Sequence, residues 1–168
     1  GPRPATRRSR ATRDEISVGG IRISHPDRIV FPHPRLSKLE VAQYYESVGE
    51  WMLPHVVNRP LTLVHCPDGL AGPCHYLRHG KAWGPSVLRR VRIREKTKVG
   101  EYLVADSIAG VVALAQMGVL EIHTWNSTTD AVEPPNQLIW DLDPGPRVAW
   151  RGIVQIARLL RSVLDVLG

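Results

Sequence analysis

Short runs of alternating apolar and polar residues predict that much of this chain forms strands. Residues 15–24, EISVGGIRIS, predict two short strands around Gly19 and Gly20, a pair able to supply the positive backbone angles of a tight hairpin turn. RPLTLVHCP is typical of a buried strand and VLEIHTW indicates another, whereas HPDRIVFPHPRL predicts a proline-interrupted loop. QLIWDLDPG predicts a strand that ends in a Pro-Gly turn. These segments would supply a sheet.

The first predicted helix begins with a capping box. Ser37 and Glu40 stand three residues apart, a spacing at which each side chain can accept a hydrogen bond from the backbone amide of the other residue. Apolar residues follow at helical spacing and would form one face of the helix: Val41, Tyr45, Val48 and Met52. Pro54 is expected to end this helix.

Two further helices are predicted in the second half of the chain. Asp106 would cap a helix over SIAGVVALAQM, whose apolar residues lie on most sides and so predict burial, and Gly118 would end it. Residues 148–167 predict an amphipathic helix whose apolar face points inward, formed by Ile153, Ile156, Leu160, Val163 and Leu167. The mixture of strands and helices predicts an α+β or α/β domain.

Length and composition narrow the class of protein. A chain of 168 residues with 43% hydrophobic content can form one soluble globular domain. The sequence contains neither the 18 or so apolar residues of a membrane span nor a signal peptide, so we expect the cytoplasm. Cys66 and Cys74 are the only cysteines, and we expect both to be reduced. Neighbouring His65 and His75 suggest zinc, but adjacent strand residues point to opposite faces, which disfavours a zinc site.

Charge favours an anionic partner. Lys and Arg number 22 against 16 Asp and Glu, a net charge of +6 that makes nucleic acid the leading candidate, although an ordinary basic protein fits as well. Residues 1–14 are rich in arginine and predict a disordered basic tail. VLRRVRIREK predicts a half-buried strand with Arg90, Arg92 and Arg94 on one face. That row is either a solvated face or a strip that follows DNA phosphates.

The sharpest candidate for chemistry is Asp141-Leu142-Asp143. On a strand, residues two apart project from the same face, so both carboxylates would reach one point and suit Mg²⁺ or Mn²⁺. The same spacing occurs in haloacid-dehalogenase-type phosphatases, in glycosyltransferases and in simple turn caps, and Gly145 departs from the phosphatase pattern. His123 could bond a nucleotide phosphate or be a satisfied core residue.

Taken in order, six blocks of this sequence resemble the polymerase domain of bacterial ligase D, of the archaeo-eukaryotic primase superfamily. The blocks lie within residues 16–167: HPDRIVFP, SKLEVAQYYESVGEWMLPH, RPLTLVHCPDG, CHYLRHG, ADSIAGVVALAQMGVLEIHTWNS and LIWDLDPG. The resemblance implies a primase-polymerase-like mixed sheet with flanking helices. It also implies a DNA-directed nucleotidyltransferase that fills or extends broken DNA ends with NTP or dNTP during non-homologous end joining, using two Mn²⁺ or Mg²⁺ ions, before a ligase seals them.

The resemblance also implies roles for particular residues. Asp141 and Asp143 match the first metal-binding motif, with catalytic function, and His123 matches a residue associated with the incoming nucleotide. Basic positions that grip the 5′-phosphate at the break are matched by Arg28 and Lys38. Relatives commonly have two template-stacking phenylalanines and then a lysine at three further positions. At those positions this sequence has His75, Tyr76 and Arg78. Arg78 joins Arg90, Arg92 and Arg94 as a possible contact to the DNA backbone.

The resemblance further implies that residues 15–168 are the N-terminal portion of such a domain. The sequence lacks the Gly-rich segment ending in His and the third metal-binding Asp, so we expect little or no polymerase activity from this polypeptide alone. Two hypotheses follow: part of an enzyme, or a non-catalytic module that binds 5′-phosphorylated DNA ends. The expected partners are ligase and nuclease domains, a Ku-type end-binding protein, and a second copy through an exposed sheet edge.

Overall fold

The computed structural model describes residues 16–80 and 84–167, so the predicted basic tail lies outside the described residues. The chain divides into two compact units, residues 1–136 and residues 137–168. Strands and helices are mixed and a central antiparallel sheet forms, which confirms the predicted fold class. In the part of the chain that the structure describes, no helix combines the length and the apolar character that crossing a bilayer requires.

The first unit opens with two small antiparallel hairpins. The predicted one is confirmed: strands β1 (Ser17–Val18) and β2 (Ile21–Arg22) flank Gly19 and Gly20, whose φ angles are 54° and 77°. The second hairpin pairs β3 (Ile29–Phe31) with β4 (Leu36–Ser37) inside the segment predicted to be a loop. The prolines between these strands occupy the turn, where they remove no ladder hydrogen bond.

The predicted capping box forms as expected and opens helix α1 (Lys38–Ser47). The Ser37 hydroxyl accepts from the Glu40 amide at 3.3 Å, and the Glu40 carboxylate accepts from the Ser37 amide at 2.7 Å. The predicted end at Pro54 is wrong, because α1 ends at Ser47 and Pro54 lies inside helix α2 (Gly49–Val56). An exposed proline can stay in a short helix, because water can solvate the carbonyl that its missing amide would have bonded.

The main sheet is built around β5 (Leu61–His65), the strand predicted to be buried. Its order is β6 (His75–Leu77), β5, β8 (Val99–Val104) and β7 (Arg89–Arg94), and β9 (Val119–Thr124) also pairs with β5. Every pairing is antiparallel. Helix α3 (Ile108–Gln116) is buried from Gly110 to Ala115, as its all-round apolar sequence predicts, and packs with the sheet into one core.

The cap of α3 differs from the prediction. Ser107 caps the helix by accepting from the Gly110 amide at 3.1 Å, whereas Asp106 makes other bonds. Its carboxylate accepts from the Asn58 amide at 2.8 Å and from Arg89 Nε at 2.6 Å. Both oxygens of the Asp106 carboxylate are therefore occupied, one of them by a charge-assisted bond to β7, and the cap is left to Ser107.

The two cysteines are bonded to each other, which corrects the expectation that they are reduced. Because β5 and β6 place His65 opposite His75, the next residues outward, Cys66 and Cys74, also face each other across the hairpin. Their Cα atoms are 4.3 Å apart and their sulfur atoms form a disulfide. Counting cysteines could not show this pairing, since it depends on the strand register.

The second unit contains a single regular element in residues 137–167, helix α4 (Trp150–Leu167). The predicted strand over QLIWDLDPG is wrong, because residues 137–145 form no regular structure. A strand needs a neighbour for its backbone hydrogen bonds, and α4 offers none. The helix is confirmed, but its apolar face does not point inward: none of its residues is buried, and Ile156 is 55% exposed.

Candidate functional site

Arg28 and Lys38 line one cavity in the first unit. Its volume is about 360 Å³. Its wall combines the first hairpins, the start of α1, the loop after β5 and the end of α3; the lining residues are Ser24, His25, Arg28, Val30, Lys38, Pro67, Pro85, Gln116, Met117 and Gly118. The structure therefore brings together the two basic residues that the resemblance associates with a DNA 5′-phosphate.

Backbone hydrogen bonds fix the distance between the two basic residues. The Arg28 amide donates to the His25 carbonyl at 3.0 Å, which closes a turn in which His25 has a positive φ of 52°. The Lys38 amide in turn donates to the Arg28 carbonyl at 2.8 Å. Because Lys38 is the first residue of α1, the capping box also fixes its position.

The Arg28 side chain is oriented by the loop that follows β5. One terminal nitrogen, Nη1, donates to the Pro67 carbonyl at 2.6 Å and lies 3.9 Å from the Asp68 carboxylate. A guanidinium has five N–H donors, so these contacts leave it further capacity for phosphate oxygens. The same loop is anchored to β3, since the Leu70 amide donates to the Val30 carbonyl at 2.8 Å.

Lys38 carries its charge in an unfavourable environment. Its exposed fraction is 7%, and burial, followed by the positive charge of Arg28, lowers its pKa from 10.5 to about 8. A lysine with this pKa is still mostly protonated at neutral pH. The cavity therefore holds two close positive charges, and a bound anion would stabilise both.

Three polar residues of the cavity wall were missed by the sequence reasoning. His25 is exposed beside Arg28, and Ser24 is held to Gln116 by two hydrogen bonds. The Ser24 amide donates to Gln116 Oε1 at 2.9 Å, and Gln116 Nε2 donates to Ser24 Oγ at 2.7 Å. These positions lie 92 residues apart, so no local pattern could have paired them. His25, three residues before Arg28, was the available signal.

Tyr76 and His123 share an exposed face of the main sheet. Their ring centroids are 6.5 Å apart, and His123 Nε2 lies 3.0 Å from the Glu121 carboxylate. Tyr76 and Glu121 both pair with Val64, which places these side chains on one face. His75 precedes Tyr76 on the same strand and therefore points to the other face. Of the two predicted stacking residues, only Tyr76 lies beside His123.

The basic strand is confirmed as β7, the end strand of the sheet order. Arg90 makes contacts within the protein. Its Nη2 donates to the Gly84 carbonyl at 3.0 Å, and its Nη1 lies 3.6 Å from the Glu101 carboxylate. Arg92 and Arg94, on the same face, are exposed, and so is Arg78 on the segment after β6. The arginines that remain available at the surface of this row are therefore Arg92 and Arg94.

Asp141 and Asp143 lie in the second unit on the irregular segment before α4. Both are exposed, and both line a cavity of about 390 Å³ with the start of that helix. The residues from 141 to 145 share this lining with Val148, Ile153 and Ile156. Two aspartates that line one cavity offer the oxygen ligands that a hard divalent cation takes. Within residues 16–80 and 84–167, however, no group of three or more His, Cys, Asp or Glu could hold a metal ion.

Comparison with known proteins identifies the chain. A family model described as the LigD primase-polymerase domain matches residues 37–168. The chain belongs to this family. The fold neighbour agrees: the polymerase domain from Mycobacterium tuberculosis ligase D, solved in complex with DNA, superposes with a TM-score of 0.80 at 26% identity. That match covers 88% of this chain and 54% of the other.

This LigD primase-polymerase chain is also similar in sequence to whole LigD proteins. It is 32% identical over its whole length to the multifunctional non-homologous end joining protein LigD of Pseudomonas aeruginosa. It is 30% identical, over 86% of its length, to the protein of that name from Mycolicibacterium smegmatis. The chain spans about one fifth of the length of these relatives, 20% and 19% respectively.

Proposed function

We propose that this LigD primase-polymerase chain binds broken DNA ends and that the cavity of Arg28 and Lys38 receives the 5′-phosphate. The observation that carries the proposal is that two basic side chains line one cavity, where burial and the neighbouring Arg28 lower the pKa of Lys38 to about 8. A buried lysine beside a second positive charge is unfavourable, and an anion bound between them would relieve that cost. A terminal phosphate is small enough to enter the cavity, and it carries up to two negative charges.

The exposed surface of the first unit supports the same proposal. Arg92 and Arg94 on the end strand offer guanidinium groups to the phosphates of a duplex. Tyr76 offers an exposed ring on which an unpaired base of the template could stack. These contacts would add affinity that does not depend on sequence, while the cavity would distinguish a phosphorylated end from continuous DNA.

The decisive experiment compares duplexes that differ only at the 5′ end. The affinity of the chain for a 5′-phosphorylated duplex and a 5′-hydroxyl duplex is measured by fluorescence anisotropy. We expect the phosphorylated end to bind about tenfold more tightly or better, since hydrogen bonds to charged groups contribute about 1.5–3 kcal/mol. Arg28→Met and Lys38→Met should each remove most of this preference.

Arg35→Met is the matched control, because Arg35 is exposed and does not line the cavity. It should lower the affinity for both duplexes slightly and equally. Equal affinity of the unmodified chain for both duplexes would refute the proposed role of the cavity. So would a preference that survives in both the Arg28 and the Lys38 variant.

For the chemistry, we propose that Asp141 and Asp143 hold Mn²⁺ or Mg²⁺ and that the activity is extension of a primer by NTP or dNTP. The support is the pair of exposed carboxylates on one cavity. Metal ions bound there would supply charge neutralisation for a triphosphate. His123, exposed on β9, would donate a hydrogen bond to a nucleotide phosphate. Ligase and nuclease domains and a Ku-type end-binding protein are the partners proposed for the whole protein.

A non-catalytic end-binding module is the second candidate function. It is favoured by the donor set, since the described residues bring two carboxylates and no third ligand to one place. Replacing Asp141 and Asp143 together with Ala distinguishes the candidates. Both predict unchanged affinity for DNA ends, but only the enzyme predicts a loss of Mn²⁺-dependent extension, measured once the chain is supplied with the remainder of a LigD polymerase domain.

A further inference from the structure

The disulfide between Cys66 and Cys74 lies beside the proposed 5′-phosphate cavity. It closes the connection between β5 and β6, which contains residues 67–73. Pro67, immediately after Cys66, lines the cavity and accepts the hydrogen bond from Arg28. On the other side of the loop, Tyr76 stands two residues after Cys74. The bond therefore joins the wall of the cavity to the strand that carries the exposed aromatic ring.

The two ends of the loop are held very differently. Cys66 is 1% exposed, and its amide donates to the Gly118 carbonyl at 2.8 Å, where Gly118 also lines the cavity. Gly69 is buried against the backbone of β3, and its positive φ of 74° suits the tight approach. Cys74, by contrast, is exposed. A thiol in solution would therefore approach the pair from the Cys74 side, while Cys66 is held at the end of β5.

We infer that Cys66 and Cys74 form a thiol–disulfide exchange site that regulates the affinity of the Arg28–Lys38 cavity for DNA ends. This regulation rests on the proposed function of that cavity. The bound form requires the loop to keep Pro67 against Arg28 and the strand of Tyr76 in register. Hydrogen bonds hold the Cys66 end of the loop, and the disulfide adds the constraint at the Cys74 end, so its reduction frees that end and loosens the loop that carries Pro67.

The exchange is a balanced two-electron reaction. A thiolate of a dithiol attacks Cys74 Sγ, the sulfur–sulfur bond breaks, and Cys66 leaves as a thiolate that takes up a proton. The second thiolate of the dithiol then attacks the mixed disulfide, which releases Cys74 and closes the dithiol into its own disulfide. The dithiol loses two electrons and the protein gains them.

The test compares oxidised and reduced forms of the same chain. One sample is treated with oxidised glutathione and the other with dithiothreitol, and the state of both cysteines is established by alkylation and mass spectrometry. Because the sequence has 2 cysteines, the reagents act on no other thiol pair. Affinity for 5′-phosphorylated and 5′-hydroxyl duplexes is then measured for each form, together with amide hydrogen exchange in residues 67–73.

We expect reduction to weaken binding of the 5′-phosphorylated duplex about fivefold. This is the effect expected if the released loop adopts the binding conformation about one fifth of the time, because the apparent affinity falls by that fraction. Amide exchange in residues 67–73 should become faster. Cys74→Ser, at an exposed position, should bind like the reduced chain and should not respond to dithiothreitol. A chain whose cysteines remain as free thiols after treatment with oxidised glutathione would overturn the inference.

The outcomes separate this inference from the proposed function. If both forms prefer the 5′-phosphate equally, the cavity keeps its proposed role and the regulation is overturned. If neither form distinguishes the two duplexes, the proposed role of the cavity is refuted and the regulation is overturned with it.

Discussion

The Arg28–Lys38 cavity and the Asp141–Asp143 segment both present charged side chains. They differ in how much of the surrounding structure holds those side chains in place. Around the cavity, a capping box, a hairpin, a disulfide-closed loop and a buried helix each fix one part of the wall. Asp141 and Asp143 instead extend from an irregular segment beside a helix with no buried residue.

This difference matters because binding a phosphate and catalysing with two metal ions place different demands on a site. A phosphate site works when a few donors are held in place before the ligand arrives, and the site proposed in the first unit has donors held in that way. Two-metal chemistry demands more, because small displacements of carboxylates cost large factors in rate. Residues that the family resemblance assigns to two different roles therefore differ in how firmly the rest of their unit holds them.

The largest expected effect concerns catalysis by the 168-residue polypeptide. We expect it to extend a primer at least about a thousandfold more slowly than the polymerase domain of M. tuberculosis ligase D, because the residues that the structure describes give Asp141 and Asp143 neither a fixed framework nor a third ligand. A radiolabelled gap-filling assay with Mn²⁺ measures both rates. Robust extension that Asp141→Asn abolishes would show that the segment is organised well enough for catalysis.

The next effect concerns stability, and it tests whether the two units differ in how firmly they are packed. Leu114, fully buried in α3, and Ile156, 55% exposed in α4, are matched aliphatic residues on helices. Leu114→Ala should lower the free energy of unfolding by about 2–5 kcal/mol, since it leaves a cavity in the core. Ile156→Ala should change it by about 0.5 kcal/mol or less.

Urea unfolding followed by circular dichroism measures both values. Equal losses in the two variants would mean that α4 buries its apolar face in solution, and the contrast between the units would disappear. A small loss for Leu114→Ala would mean instead that the core around α3 tolerates a cavity, which its complete burial argues against.

Sequence patterns succeeded where the controlling interactions are local. The capping box of Ser37 and Glu40, the Gly19-Gly20 turn and the buried helix α3 each depend on neighbours within a few residues. The same reasoning failed where a distant partner decides. Strand β8 was not predicted, because Gly100 and Glu101 interrupt its apolar run. The cysteines were expected to be reduced, but the register of β5 and β6 places them opposite each other.

The same contrast between local and distant interactions applies to the candidate site. Charge counting could not select Arg28 and Lys38 from 22 basic residues; the family resemblance selected them, and the β3–β4 hairpin brings them together. Asp141 and Asp143 were expected on a strand because their segment alternates correctly. Alternation is a local property, however, whereas a strand requires a neighbour, so the pattern predicted a conformation that the segment does not adopt.

The smallest expected effect is a pH dependence confined to the cavity. Burial and the charge of Arg28 lower the pKa of Lys38 to about 8, so its proton is lost as the pH rises through that value, whereas Arg28 stays charged. If binding requires protonated Lys38, affinity for a 5′-phosphorylated duplex should fall by about tenfold between pH 7 and pH 9. The phosphate itself is mostly doubly charged across that range and gains slightly in charge as the pH rises, because its second pKa is about 6, so its own titration does not produce the fall.

Lys38→Arg is the control that isolates this titration, since arginine keeps its charge throughout the range. Its affinity for the phosphorylated duplex should stay nearly level from pH 7 to pH 9, whatever its absolute value. The 5′-hydroxyl duplex should likewise show no fall in the unmodified chain, because nothing would then occupy the cavity. A parallel decline for both duplexes would place the titrating group elsewhere on the basic surface and would remove Lys38 from the proposed phosphate contact.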